Sequence, residues 1–169
     1  ISGEGLKTAI DTVERNVQQI VALVNDVLFL QEMDLVLSEF QPVNLGEISC
    51  NVVEKYKTRA ADKNIVLTIH EDRNPPQFPG DARSLERALT ALVDNAIKFS
   101  PNGRGVDIRL TADRSYIFAS VVDHGIGISA DARPHIFDRF YHLERHNSDL
   151  FGGLGLGLAI AKQVIEQHN

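Results

Sequence analysis

Residues 6–27 carry the feature that most restricts this chain. Leu6, Ile10, Val13, Val17, Ile20, Val24 and Val27 follow one another at steps of 4, 3, 4, 3, 4 and 3. Steps that average 3.5 residues keep one apolar seam on one side of a helix, the pattern of a coiled coil or helical bundle. Polar residues fill the other faces, so the first quarter of the chain is expected to form one long helix whose seam needs a partner. Leu23, Leu28, Leu30 and Leu35 widen the apolar face towards the end, and the helix is expected to fade near 34–38.

Beyond that helix the periodicity changes. Pro42 biases Gln41 towards extended backbone, so 41–44 reads as a short strand or linker. Asn44 and Glu47 have the spacing of a capping box. A helix is expected from 45 to about 62, with Ile48, Val52 and Tyr56 on one face. "NIVLTIH" (64–70) is β-branched and reads as a strand, and "EDRNPPQFPG" (71–80) reads as a breaker-rich loop. Asp81 is placed to cap a helix whose apolar residues, Leu85, Ala88, Leu89, Leu92, Val93, Ala96 and Ile97, recur at helical spacing. Strands are expected over about 105–112 and 116–123. The turn between them is too short for a parallel crossover, so they pair antiparallel. Two units follow: the helix, 1–38, and an α+β domain, 39–169, with helices on one face of a mixed, mainly antiparallel sheet.

Composition removes some functions. A net charge of −6 opposes general nucleic-acid binding, which needs clustered cations to displace counterions. No apolar run approaches the roughly 20 residues that span a bilayer. The single Cys50 excludes an internal disulfide and a multi-cysteine metal site. It is expected to be a small buried or boundary residue, and a reducing cytoplasm suits it.

Six of the twelve glycines lie in two clusters. In "VVDHGIGI" (121–128) a strand ends at Asp123, and Gly125 and Gly127 follow at once. A carboxylate at a strand end can accept a hydrogen bond from an exocyclic amine, and glycines admit a ligand close to the backbone. In "LFGGLGLGLAIAKQVI" (150–165), Gly152, Gly153, Gly155 and Gly157 run into a helix. The first N–H groups of a helix have no internal partner and favour anions. No Gly-Lys-Ser/Thr follows, so this is not a P-loop. In "LVDNAIKFS" (92–100), Asn95, Lys98 and Phe99 share one helical face. An amide oxygen there can ligate Mg²⁺, which prefers oxygen and retains water and phosphate ligands.

Taken in order, "DNAIKFS", "DHGIG", "IFDRFY" and "GGLGLGLAI" resemble the N, G1, F and G2 boxes of sensor histidine kinases of two-component systems. The resemblance covers about 40–168 and implies the two-layer α/β sandwich of GHKL ATP-binding domains. The preceding segment is similar to the second helix of the dimerisation and phosphotransfer hairpin. The resemblance implies ATP or ADP with Mg²⁺ as ligands. It puts Mg²⁺ on Asn95, phosphates near Lys98, the nucleotide beside Phe99, and the adenine amino group on Asp123, with Gly125 and Gly127 giving room. Gly153, Leu154, Gly155, Leu156 and Gly157 would line the phosphates. A lid would cover 129–151 and carry Phe137 and Phe140, with Arg139 or Arg145 as its basic residue in place of His142.

Three departures accompany the match. None of His70, His124, His135, His142, His146 and His168 has the context of a phosphoacceptor. The two strands that the family adds after the final helix do not follow here. Ala91 stands one turn before Asn95, where histidine kinases carry a second Asn and hydrolytic relatives a Glu. The expected function is therefore the catalytic ATP-binding part of a histidine kinase. Its acceptor histidine would lie on a hairpin helix outside these residues, with relay to a response regulator and homodimerisation through the N-terminal helix. This part alone would not phosphorylate itself. The expected place is a cytoplasmic domain of a membrane-anchored or soluble parent. A degenerate nucleotide-binding and dimerisation module is the alternative, and a GHKL serine kinase or ATPase a lesser one.

Overall fold

The computed structural model describes residues 3–35, 39–71, 75–142 and 155–168. The order is α1 (Gly3–Leu35), β1 (Gln41–Val43), α2 (Leu45–Ala61), β2 (Val66–Glu71), β3 (Phe78–Gly80), α3 (Ala82–Phe99), β4 (Gly105–Ala112), β5 (Ile117–Val122) and α4 (Gly157–Gln167).

The β2–β4–β5 sheet is mixed, with β2 parallel to β4 and β5 antiparallel to β4. Alternation along β4 sets its two faces. Val106, Ile108 and Leu110 are fully buried, while Asp107 pairs with His70 and Arg109 on the opposite face. Helices α2 and α3 cover the buried face and α4 packs on α3, so that Val52, Val93, Ile97, Ile160 and Val164 complete the core. This is the expected two-layer sandwich.

The starts of α2 and α3 are fixed by side chains. The Asn44 side chain accepts from the N–H groups of Gly46 and Glu47, and the Asp81 side chain from those of Arg83 and Ser84. Such caps satisfy donors that have no partner inside the helix. Asp113 does the same for the β4–β5 turn, accepting from Ser115 N–H at 2.7 Å and Tyr116 N–H at 2.8 Å. These two hydrogen bonds hold its carboxyl below the usual carboxylate range.

Two expectations need correction. The stretch 71–80 is not loop throughout: Phe78–Gly80 forms β3, antiparallel to β1, with Pro42 opposite Pro79. A separate two-stranded ribbon tolerates prolines that a central strand would reject. Cys50 is exposed. It lies two residues from Ile48, on the side of α2 away from the buried Ile48–Val52 row.

The long helix forms as expected, and its seam stays exposed: Ile10 at 56%, Val13 at 61% and Ile20 at 60%. The seam therefore does not fold back on the sandwich. The end of α1 behaves differently. Phe29, Leu30 and Met33 are buried in the common core. Arg87 of α3 lies 4.3 Å over the Phe29 ring and pairs with Asp26, and Gln167 of α4 donates to the Met33 carbonyl at 2.8 Å. The packed core thus reaches back into the segment 1–38, to Phe29. Among the described residues no helix is long and apolar enough to cross a membrane.

Candidate functional site

Asp123 follows the last residue of β5. Its Oδ1 accepts the Gly125 N–H at 2.7 Å, and its other oxygen takes no hydrogen bond from the described residues. The turn beyond it is tightly constrained. A Cβ on Gly125 would stand 2.8 Å from the Phe99 carbonyl oxygen and 2.7 Å from Asp123 Oδ1. Gly125 is thus required by the backbone of α3's last residue. Gly127 is required by conformation instead: its φ is +69°, and the space beside it is open.

Asp123, Gly125, Gly127, Ile128, Arg133, Ile136 and Phe137 line a cleft of about 570 Å³. The structure therefore brings the G1 residues and Phe137 of the F box together. Asn95 and Lys98 are not among the lining residues. They stand on the last turns of α3 beside Phe99, whose carbonyl abuts Gly125, and Lys98 Nζ lies 4.6 Å over the Phe99 ring. Asp94, their neighbour, pairs with Arg59 of α2. Burial raises its carboxyl pKa, and Arg59 and then Lys98 act against that rise.

The glycine-led end of α4 meets the F box. Phe140 has φ +65°, unusual for a residue with a side chain, and its N–H donates to the Gly155 carbonyl at 3.0 Å. Gly155 has φ +67°, and a Cβ there would stand 2.6 Å from the Tyr141 carbonyl oxygen. At Gly157 a Cβ would stand 3.3 Å from Ala91 Cβ, so α4 begins in close contact with α3. Gly155 and Gly157 each have a packing reason that the sequence reading did not supply. Leu156 is 1% exposed and belongs to the core, so only its backbone is open to a ligand. Arg139 donates to Gln163 Oε1 of α4 at 3.1 Å. Gly152, Gly153, Leu154 and Arg145, like residues 143–151 of the expected lid, lie outside the described residues.

Among the described residues no group of three His, Cys, Asp or Glu side chains could hold a metal ion. Asn95 alone is a sparse donor set. It fits Mg²⁺ only in the way that ion is commonly held, with most ligands coming from water and substrate phosphates. The described histidines other than His142 have structural contacts: His70 with Asp107, His124 with the Gly105 carbonyl, His135 with Asp138, and His168 with Asp81 N–H.

The profile of the histidine kinase-, DNA gyrase B- and HSP90-like ATPases matches residues 80–169, just over half of the chain. The chain belongs to this family. Within it the similar proteins are sensor histidine kinases of two-component signal transduction. Sensor histidine kinase RppB of Synechocystis sp. is 32% identical over 96% of this chain. The signal transduction histidine-protein kinase/phosphatase MprB of Mycobacterium ulcerans is 36% identical over 94%. The chain spans 36% of the length of RppB and 30% of that of MprB. A solved structure of mycobacterial MprB is 33% identical, covers 76% of this chain and 80% of its own, and superposes with a TM-score of 0.65. Full-length ShkA in complex with AMPPNP is 27% identical, covers 95% of this chain and 34% of its own, and gives a TM-score of 0.79.

Proposed function

We propose that this histidine kinase-type ATPase domain binds Mg-ATP in the cleft beside Asp123 and presents the γ-phosphoryl group to a histidine carried by a hairpin helix of the whole protein. One observation carries the reading: Asp123 is locked through Oδ1 by the Gly125 N–H and keeps its second oxygen for a ligand in a cleft walled by glycines and Phe137. A carboxylate oxygen accepts from the amino group of adenine and repels the carbonyl oxygen at the same position of guanine. The open side of Gly127 leaves room for the base. That ShkA was solved with AMPPNP supports a nucleotide ligand.

The chain's own residues supply binding and orientation. Asp123 fixes the base. Lys98 meets phosphate charge, and Asn95 would hold Mg²⁺ on its amide oxygen. Gly153 and Leu154, with the backbone of Gly155, Leu156 and Gly157, would line the phosphates. Arg139, which donates to Gln163 of α4, would be the basic residue of the lid, and Phe140 would border the site. When bound, Mg²⁺ neutralises part of the phosphate charge. Phosphoryl transfer needs little covalent work from the protein, so positioning and electrostatics are its contribution. In the whole protein, 1–38 would pair with the acceptor hairpin and a second copy, and a response regulator would receive the phosphoryl group.

The test supplies the missing acceptor. Mixed with a separate hairpin fragment bearing the histidine and γ-labelled ATP, this domain is expected to transfer acid-labile label to the fragment, and none to itself. Equal binding of ATP and GTP, or no transfer with tight ATP binding, refutes the corresponding half of the reading.

A further inference from the structure

The end of α3 is held by a residue that no box contains. The last carbonyls of a helix have no partner within it. Here Lys63, in the turn after α2, donates from Nζ to the carbonyls of Ile97 at 2.8 Å, Lys98 at 2.9 Å and Ser100 at 3.2 Å. These three bonds match the three donors of an ammonium group. The charge also sits at the negative end of the helix dipole. The main chain of Lys63 is fixed as well. Its N–H donates to the Ala60 carbonyl, its carbonyl accepts the Gly103 N–H at 3.0 Å, and Asn64 closes the α2 turn at φ +53°. One residue therefore anchors the whole 97–103 turn.

We propose that Lys63 is a positioning residue for the nucleotide site: it stands outside the cleft and fixes the last turn of α3, which carries Lys98 and Phe99 and braces the Gly125 turn. This rests on the cleft being the nucleotide site. The mechanical link is short. The Phe99 carbonyl lies between two carbonyls held by Lys63, and it leaves no room for even a Cβ on Gly125. If that carbonyl turns towards water, the Gly125 N–H moves, and with it the hydrogen bond that orients Asp123.

The experiment measures Mg-ATP binding by calorimetry on the whole 169-residue chain, with circular dichroism and urea unfolding to show that each variant is folded at the assay temperature. K63M keeps the stem and removes the donors, and its Kd is expected to rise about tenfold, as for loss of hydrogen bonds from a charged group. K63R restores both charge and donors and is expected to recover binding to within about threefold of the unaltered chain. K57M, on the preceding helix α2 and, among the described residues, paired with Glu54 at the surface, is expected to leave Kd unchanged. A folded K63M with unaltered Kd overturns the proposal even if its unfolding midpoint falls, because that is a purely structural role. A failure of K63R to recover binding also overturns it. If K63M does not fold, K63Q replaces it, and unaltered binding by folded K63Q overturns the proposal. Absence of Mg-ATP binding by the unaltered chain overturns the nucleotide reading and this one with it. Normal binding there with no effect of K63M or K63Q overturns this one alone.

Discussion

Three glycines with positive φ separate two reasons for glycine. Gly103 (φ +80°) and Gly127 (φ +69°) have nothing within 4 Å of where a Cβ would stand. Gly155 (φ +67°) has the Tyr141 carbonyl oxygen at 2.6 Å, the Phe140 carbonyl carbon at 2.8 Å and the Tyr141 nitrogen at 2.9 Å. Alanine at any of the three takes on left-handed strain of about 1–2 kcal/mol. It also reduces the freedom of the unfolded chain, which offsets about 0.4–1 kcal/mol. Both terms are common to the series and cancel in the differences. Only Gly155→Ala adds a clash with backbone that has no flexible end to move aside, and overpacking of this kind costs about 1–3 kcal/mol. Gly155→Ala is therefore expected to lose about 1–3 kcal/mol more than Gly103→Ala, or several degrees in Tm for a chain of this size. Gly127→Ala is expected to match Gly103→Ala in urea unfolding while weakening ATP binding, since its Cβ enters the cleft. If Gly155→Ala is no less stable than Gly103→Ala, the contact between the glycine-led end of α4 and Phe140–Tyr141 is refuted.

Asp123→Asn, which puts an amide where a carboxylate accepts, is expected to weaken ATP binding by about 1–3 kcal/mol. Calorimetry with ATP and GTP reads both arms, and no change with ATP rejects the adenine assignment. Replacing Val13, Val17 and Ile20 together by Asp removes an apolar seam worth about 25 cal/mol per Å² when buried. Light scattering is expected to show a dimer become a monomer that still binds ATP. A chain monomeric before substitution rejects the partnered seam. Asp113 has a lowered pKa because it accepts from Ser115 and Tyr116 in the folded state, so its contribution is present above pH 3.8 and is lost as pH falls below that value. Asp113→Ala is expected to be less stable than the unaltered chain at neutral pH, and the gap to close under acid. A gap that does not narrow as pH falls below 3.8 rejects the assignment.

What the sequence disclosed was local. Asn44 and Asp81 announce their helices because a cap and its N–H partners lie within three residues. The alternation Val106, Ile108, Leu110 announces one buried face of β4 for the same reason. Asp123, Gly125 and Gly127 could be picked out because one turn holds them all. Lys63, by contrast, reaches carbonyls 34 to 37 residues away. Arg59 finds Asp94 35 residues on, and Arg87 finds Asp26 61 residues back. Nothing in the spacing of these residues points to those partners, since the fold alone brings them together. The exposure of Cys50 is legible in the sequence, since the Ile48–Val52–Tyr56 row places position 50 on the far side of α2.

Ala91 shows how a local reading can be right about the residue and silent about its reason. In the sequence it is a missing amide, one turn before Asn95. In the structure it is half of a contact. Ala91 Cβ and the bare Cα of Gly157 let α4 begin against α3, and each needs the other to be small. The far end of α4 is fixed twice over, since His168 Nε2 accepts the Asp81 N–H at 2.9 Å and Gln167 donates to the Met33 carbonyl. The Gly157 end carries Gly155 and, through it, Phe140. The glycine-led start of α4 thus meets the helix that bears Asn95 at two small residues.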